Sequence, residues 1–183
     1  MKVLLIDNGT ILLEKLKTLI PGEESVIKFD NLKTVNTNDF DLVVMSGSHD
    51  NSIVWNGDKY LDELNFVKNT TKPVIGICFG FELIVKVFGG EIIELSNRDK
   101  GIKEIEILDK NIYSKPNIKV YESHRWAIGK LPEEFNILAK SSVGPEIIKH
   151  KSLPIYGFQF HPENFVDELE GDEVFLKLFS NLK

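Results

Sequence analysis

Short apolar runs alternate along the chain with longer segments whose apolar residues recur at helical spacing. Residues 3–6, 40–45 and 73–77 are apolar over almost their whole length, which is typical of strands buried on both faces of a sheet. The segment 59–69, between two of these runs, places its apolar residues on one helical face. This alternation is typical of βαβ units and predicts an α/β protein with a mainly parallel central sheet.

The predicted elements cover most of the chain. Strands are expected at 3–6, 25–29, 40–45, 73–77 and 155–160, and helices at 10–20 (capped by Thr10), 59–69, 81–88 and 172–182. Apolar and polar residues alternate in the middle of the chain, which predicts short strands at 102–108, 119–122, 136–139 and 146–149. The expected fold is a three-layer α/β sandwich with a small antiparallel patch, forming a single domain over residues 1–183.

Composition and charge exclude several classes of protein. The 183 residues carry a formal net charge of −6 without a basic patch, so no nucleic-acid partner is expected. No apolar run approaches the ~20 residues that cross a bilayer, and the N-terminal run ends at Asp7, so neither a membrane span nor a signal peptide is expected. The single cysteine excludes an intramolecular disulfide and argues against a cysteine-ligated zinc site. We expect a cytoplasmic protein without a metal or a cofactor.

The strongest chemical signal is the segment Gly76-Ile77-Cys78-Phe79-Gly80, between a predicted strand and a predicted helix. A turn of this kind forces its central residue into a strained backbone conformation and exposes the side chain. The helix that follows points free N–H groups at the sulfur, which we expect to lower the pKa of the Cys78 thiol. The simpler alternative is a buried apolar cysteine between two packing glycines.

A second signal, Phe160-His161-Pro162-Glu163, follows the last predicted strand. A nucleophilic cysteine needs a base that takes its proton and a carboxylate that orients the base. His161 is the candidate base and Glu163 the candidate carboxylate, although a histidine that only caps the strand end is an alternative. His49 and His150 are weaker candidates, because we expect them at the surface. His124 is weaker because no carboxylate follows it in the chain.

Acyl chemistry also needs hydrogen-bond donors for an oxyanion. The backbone N–H of Phe79 follows the nucleophile and is one candidate. A second should come from a turn at the carboxyl end of a neighbouring strand, where ligands bind in such sheets. Gly47 and Ser48 occupy this position, and an ordinary strand-to-loop turn is the alternative.

Three segments together resemble the class I (triad) glutamine amidotransferases. They are Leu5-Ile6-Asp7-Asn8-Gly9, Gly76-Ile77-Cys78-Phe79-Gly80-Phe81-Glu82 and Tyr156-Gly157-Phe158-Gln159-Phe160-His161-Pro162-Glu163, in the family's order and spacing. Gly89-Gly90-Glu91 and Ser123-His124 are most similar to the separate glutaminase subunits of archaeal-type GMP synthases. The resemblance implies a flavodoxin-like fold.

The resemblance also implies a reaction. Cys78 would attack the side-chain amide of glutamine, His161 would move the protons and Glu163 would orient His161. Ammonia would leave, and water would release glutamate from a γ-glutamyl thioester. In this family the ammonia passes to a synthetase, and because the chain has no G-x-x-x-x-G-K-[ST] loop, an ATP-using synthetase subunit is expected as a separate partner.

Two positions in the expected pocket depart from the family pattern. Glu82 stands where the family usually has a Gln that helps to hold glutamine. An ionised carboxylate there cannot donate the hydrogen bonds of an amide and would repel the α-carboxylate of the substrate, although it could pair with an α-ammonium group or be protonated. Ser48 follows Gly47 where the family usually has a second glycine, which reduces the flexibility of the oxyanion segment.

The remaining substrate-binding candidates follow one another along the chain: Ser123, His124, Arg125 and Trp126. Arg125 is expected to contact a substrate carboxylate or to pair with Glu82. A surface arginine stacked on Trp126 is the alternative.

Three functions stay open. The first is a glutaminase that feeds ammonia to a synthetase. The second is a hydrolase or transferase for another γ-glutamyl compound, which the departures at Glu82 and Ser48 suggest. The third is a non-catalytic module, against which the unaltered triad argues.

Overall fold

The computed structural model describes residues 1–166 and 168–182, and within them nine strands form one sheet in the order β2-β1-β3-β4-β9-β8-β7-β5-β6. The strands are β1 (Lys2–Asp7), β2 (Glu23–Lys28), β3 (Leu42–Met45), β4 (Val74–Ile77), β5 (Glu91–Ile107), β6 (Asn117–Lys130), β7 (Phe135–Lys140), β8 (Pro145–His150) and β9 (Ile155–Phe158). The helices are α1 (Leu13–Leu19), α2 (Ile53–Asn56), α3 (Leu61–Asn69), α4 (Phe79–Val87) and α5 (Gly171–Ser180). Short 3-10 segments lie at Phe29–Thr34, Thr37–Asp39 and Gly57–Tyr60.

Strands β2, β1, β3, β4 and β9 pair in parallel and form one half of the sheet. Their apolar side chains alternate between two hydrophobic clusters on opposite faces, with Val3 and Leu5 in one and Leu4 and Ile6 in the other. Helices α1 and α5 pack into the first cluster, and α3 and α4 into the second. Because β3 and β4 are neighbours, the turns that follow them lie side by side at one edge of the sheet.

The expectation of a mainly parallel sheet with a small antiparallel patch is wrong, because the sheet is mixed. Strands β8, β7, β5 and β6 form its other half, and they pair antiparallel with one another and with β9. β5 has 17 residues and β6 has 14, far more than the predicted segments 102–108 and 119–122. The outer part of β5 is mostly polar and exposed, and the register shifts between Glu94 and Asp99. Hydrogen bonds between the backbones of β5 and β6, more than a buried apolar face, hold the outer part of β5 in the sheet. Its sequence therefore shows no alternation of apolar and polar residues from which a strand could be predicted.

The sequence places the longer helices correctly but misjudges where they start. Helix α1 begins at Leu13, and Thr10 does not cap it, because the Thr10 hydroxyl accepts the N–H of Leu12 in the preceding turn, at 3.1 Å. Helix α4 begins at Phe79, directly after Cys78 in the N-cap position. Helix α2 and the 3-10 segments are too short to show a period, and the sequence does not predict them. Along the described part of the chain, no helix has the length and hydrophobicity that a membrane span requires.

Candidate active site

Cys78 lies in a sharp turn between β4 and α4. Its φ is 49° and its ψ is −102°, a conformation that non-glycine residues rarely adopt. Two backbone hydrogen bonds fix this strained conformation. The N–H of Cys78 donates to the carbonyl oxygen of Phe158 at 2.7 Å, and the backbone N–H of Glu82 donates to the carbonyl oxygen of Cys78 at 3.0 Å. The turn that the sequence predicts around Cys78 is therefore present, but the expected exposure of the side chain is wrong, because only 5% of the surface of Cys78 is exposed.

The glycines on either side of Cys78 are required by close packing. A Cβ atom on Gly76 would lie 2.4 Å from the carbonyl oxygen of Gly80, and one on Gly80 would lie 2.5 Å from that of Met45. No side chain can occupy such positions unless the backbone moves. Strand β4, the turn and the first residues of α4 thus pack directly on one another.

His161 and Glu163 lie beside Cys78, just past the end of β9. Nδ1 of His161 is 2.9 Å from Oε1 of Glu163, and Glu163 is fully buried. A carboxylate at this distance holds the ring proton on Nδ1 and leaves Nε2 free to accept one. A Cβ atom on Gly47 would lie 3.1 Å from His161 Cε1 and 3.6 Å from Cys78 Cβ, so the predicted oxyanion segment touches both residues.

The charges of these groups are strongly coupled. Burial raises the pKa of the Cys78 thiol, His161 opposes this shift, and the carboxylates of Glu82 and Glu122 add to it. The lowered thiol pKa expected from the helix N-terminus is therefore not found, because the sulfur is desolvated. Burial favours the neutral ring of His161, but the charge and hydrogen bond of Glu163 and those of an ionised Cys78 raise the pKa of His161 well above its usual value, so the ring keeps the proton that it takes from the sulfur.

The backbone of the oxyanion segment is held from one side. The Ser46 hydroxyl donates to the Gly47 carbonyl oxygen at 2.9 Å and accepts the N–H of Asn8 at 2.9 Å. In a trans peptide the N–H points away from the C=O, so the N–H of Ser48 points away from the Ser46 hydroxyl. The N–H of Phe79, in the first turn of α4, has no partner inside the helix.

One cavity of about 290 Å³ brings most of the predicted site residues together. Its lining includes eight of them: Ser48, Cys78, Phe79, Glu82, Ser123, His124, Arg125 and Trp126. His161 lines an adjoining cavity of about 150 Å³, to which Ser48 and Ser123 also contribute. Gly47 and Glu163 pack behind these surfaces.

Glu82 is buried, with 3% of its surface exposed, and lines the cavity. Burial raises its pKa to about 8, so the carboxyl is mostly neutral at pH 7. Arg125 does not pair with it: the side chain of Arg125 is 56% exposed and lies 3.9 Å from the carboxylate of Glu94. Trp126 packs edge-on against Trp55, with ring centroids 5.1 Å apart.

The sequence misjudges two histidines. His124 is buried, with Nδ1 2.8 Å from the carbonyl oxygen of Trp126 and Nε2 3.3 Å from Oε2 of Glu122. The carboxylate partner of His124 therefore precedes it in the chain. His150, expected at the surface, is buried: it is 6% exposed and packs between Phe88 and Phe135. Burial is possible because its Nδ1 accepts hydrogen bonds from two backbone N–H groups.

Sequence reasoning also missed Arg98, which lines the cavity and donates from Nη2 to the carbonyl oxygen and the hydroxyl of Ser123, at 3.3 and 3.1 Å. It lies in the polar stretch of β5, where no motif marks it. Asn51, Ser52 and Trp55 line the same cavity from the loop after β3 and from α2. The scarcity of arginine is the one signal that could have found Arg98, since the chain has only two.

Comparison with known proteins agrees with this geometry. The family model for class I glutamine amidotransferases matches residues 4–180. The chain belongs to the class I glutamine amidotransferase family. The membership predicted from the three sequence motifs is thus confirmed.

Several sequence relatives of this amidotransferase carry one name, which describes them as the same subunit of a glutamine-hydrolysing GMP synthase. The protein from Pyrococcus abyssi is 34% identical over 194 residues, which cover 98% of this chain and 97% of the relative. The protein from Sulfolobus acidocaldarius is 34% identical over 158 residues, covering 84% and 83%. With the protein from Pyrococcus furiosus, identity is 46% over 95 residues, and this match spans half of each chain.

Solved structures share the fold. A protein from Thermoplasma acidophilum, described as the corresponding GMP synthase subunit, matches all of this amidotransferase and 94% of its own chain, with a TM-score of 0.86 and 25% identity. A glutamine amidotransferase from Thermotoga maritima matches 99% of this chain and 83% of its own, with a TM-score of 0.74 and 17% identity.

Proposed function

We propose that this amidotransferase hydrolyses the side-chain amide of glutamine and supplies the ammonia to a separate synthetase subunit of the GMP synthase type. The observation that carries the proposal is the meeting of Cys78, in its strained turn, with the His161–Glu163 pair beside one cavity. The near full-length match to a subunit of glutamine-hydrolysing GMP synthase points to the ammonia acceptor.

The first chemical step forms a thioester. Cys78 Sγ gives its proton to Nε2 of His161 and attacks the amide carbon, so the C=O π electrons move to oxygen. The N–H groups of Ser48 and Phe79 stabilise the resulting oxyanion. His161 then protonates the amide nitrogen, the electrons of the oxyanion re-form the C=O bond, the C–N bond breaks, and ammonia leaves the γ-glutamyl thioester behind.

The second step returns the enzyme to its starting state. His161 takes a proton from water as the water oxygen attacks the carbonyl carbon of the γ-glutamyl thioester, and the C=O π electrons move to the carbonyl oxygen. When these electrons re-form the C=O bond, the C–S bond breaks and the sulfur leaves as a thiolate. Glutamate leaves, and the proton on His161 returns to the sulfur. Glu163 keeps its position throughout, since it holds the Nδ1 proton and stabilises the imidazolium form.

Residues of β5 and β6 bind the rest of the substrate. The guanidinium group of Arg98 and the hydroxyl of Ser123 lie side by side at the cavity wall. Together they supply a positive charge and hydrogen-bond donors for the α-carboxylate of glutamine. His124 and Trp126 shape the same wall, and Arg125 lies at its exposed rim. A neutral Glu82 can donate one hydrogen bond, as the amide of a Gln would.

The synthetase partner uses ATP to activate the ammonia acceptor. The chain acts as a single domain in the cytoplasm.

A second candidate rests on Glu82. Its carboxyl group replaces the amide that usually faces glutamine, and it has no ion-pair partner in the described part of the chain. A γ-glutamyl compound with a cationic group at this position would form an ion pair with the ionised carboxylate of Glu82. Cys78 would then cleave the γ-glutamyl amide bond of that compound.

The test measures glutamate release from glutamine and from a panel of γ-glutamyl amides, with Cys78→Ala as control. Intact mass after treatment with a diazoketone analogue of glutamine reports whether the pocket accepts the glutamine skeleton. We expect one adduct, absent in Cys78→Ala, and glutamine as the best substrate. Faster release from another γ-glutamyl amide would favour the second candidate. No adduct, while a generic thiol reagent still labels Cys78, would overturn the glutaminase proposal.

A further inference from the structure

The core next to the oxyanion segment holds three polar side chains that the proposed reaction does not use. Asn8, Tyr60 and Glu63 are at most 1% exposed. Among the described residues, Oδ1 of Asn8, the hydroxyl of Tyr60 and both carboxyl oxygens of Glu63 have no hydrogen-bond partner of good geometry. Buried polar groups without partners are rare and costly, so their gathering at one place indicates a function.

Asn8 holds the oxyanion segment directly. Its backbone N–H donates to the Ser46 hydroxyl at 2.9 Å, and its side-chain Nδ2 donates to the Ser46 carbonyl oxygen at 3.2 Å. The Ser46 hydroxyl in turn donates to the Gly47 carbonyl oxygen at 2.9 Å. This chain of bonds sets the plane of the peptide that carries the N–H of Ser48.

Tyr60 contacts both proposed oxyanion donors. Its ring packs against the ring of Phe79 with centroids 4.6 Å apart. Its hydroxyl lies near the side chain of Ser48 without a hydrogen bond of good geometry. Burial and the charge of Glu63 raise the pKa of Tyr60 to about 12, so the phenol stays protonated. Glu63 lies in α3, one turn after Tyr60 at the N-cap of this helix, and is near both Asn8 and Tyr60.

Glu63 controls the charge of this cluster. Burial raises its pKa to about 8, and hydrogen bonding to Asn8 opposes the shift. The titratable neighbour that faces it is Tyr60, while Asp62 of the same helix pairs with Lys33 at 2.9 Å. At pH 7 the Glu63 carboxyl is therefore mostly neutral and has a proton to donate.

We propose that Glu63 is a positioning residue for the oxyanion donors, acting through Asn8 and Tyr60. The neutral carboxyl donates to Oδ1 of Asn8, which has no other partner among the described residues, and leaves Nδ2 to hold Ser46. The ionised carboxylate can only accept, so it competes with the Ser46 carbonyl oxygen for Nδ2 of Asn8. Ionisation removes this donor and places a charge beside the segment, so the Ser48 peptide shifts. The inference rests on the proposed function, because it assigns a role within that reaction.

Kinetics test the inference in the reaction. We compare kcat and KM for glutamine from pH 6 to 9.5 in the wild type and in Glu63→Gln, Glu63→Leu and Asp62→Asn, the last as control on the same helix. Glu63→Leu should lower kcat roughly ten- to a hundredfold with KM within threefold, because a displaced donor stabilises the transition state poorly. Glu63→Gln, which keeps a donor, should recover at least fivefold of that loss. The wild-type kcat should fall near pH 8, and this fall should be absent in Glu63→Gln.

NMR tests the structural coupling without any substrate. The measurement uses a Glu82→Gln background, which removes the other buried carboxyl that titrates near pH 8 beside Phe79. In this background the amide signals of Ser48 and Phe79 should move with a midpoint near pH 8, also when Asp62→Asn is added, but not when Glu63→Gln is added. Glutamine turnover without this movement would overturn the inference and leave the proposed function standing. The movement without turnover would support the coupling and overturn the glutaminase function. Unchanged kcat in a folded Glu63→Leu protein would also overturn the inference.

Discussion

Oε1 of Glu163 lies 2.9 Å from Nδ1 of His161, and the Glu163 side chain is fully buried. Pro162 separates the two residues and limits the backbone between them. The carboxylate therefore fixes both the tautomer and the charge of the imidazole, and it contributes to the raised pKa of His161. The pair can hold a proton during the reaction and release it to the leaving group.

Glu163→Gln should lower kcat for glutamine hydrolysis about a hundredfold or more, with a small change in KM. The amide preserves the shape and can still accept a hydrogen bond, but it cannot stabilise the imidazolium ring by charge. Steady-state kinetics measure both constants, and Glu104→Gln, at an exposed position of β5, is the matched control. A Glu163→Gln protein with wild-type kcat would show that the pair is structural.

Glu82→Gln should abolish a rise in KM at alkaline pH. The folded protein raises the pKa of Glu82 to about 8, so the wild-type carboxyl is neutral below that pH and ionised above it. The ionised form repels the α-carboxylate of glutamine, so we expect KM to increase severalfold between pH 7 and 9 in the wild type only. Initial rates across this range test the prediction, and an equal rise in Glu82→Gln would contradict it.

The parts of the site that the sequence predicts are local in the chain. The turn around Cys78 and the pair His161–Glu163 are each formed by residues that are close together in the sequence, so a short motif is enough to predict them. The parallel strands are likewise visible as apolar runs, because they are buried on both faces.

The parts that the sequence does not predict depend on distant pairing. Arg98 reaches the cavity because β5 pairs with β6, and this pairing runs through polar, exposed residues that leave no alternation. Asn8 and Glu63 come together only when β1 and α3 pack beside the end of β3. A lone Asn or Glu in a helix or strand carries no signal of such a contact.

The two arginines provide an internal comparison. Arg98→Met should raise KM for glutamine about tenfold, because it removes the cation that bonds Ser123 inside the cavity. Arg125→Met should change KM less than twofold, since Arg125 is 56% exposed and already lies near Glu94. Steady-state kinetics measure KM for glutamine in both variants. A larger rise in Arg125→Met than in Arg98→Met would show that Arg125, and not Arg98, binds the carboxylate.

Gly80→Ala should destabilise the protein by about 2–3 kcal/mol, because its Cβ would lie 2.5 Å from the backbone oxygen of Met45 and force the turn away from β3. Gly57→Ala is the matched control: its φ is −51°, a Cβ there meets nothing within 4 Å, and it should be neutral or stabilise by about 0.5 kcal/mol. Denaturant unfolding measures both free energies, and alkylation of Cys78 by a generic thiol reagent reports the turn. We expect faster alkylation in Gly80→Ala, since the displaced turn exposes a sulfur that is now buried. Equal stability and equal alkylation in the two variants would show that the contact between Gly80 and Met45 does not hold the turn in place.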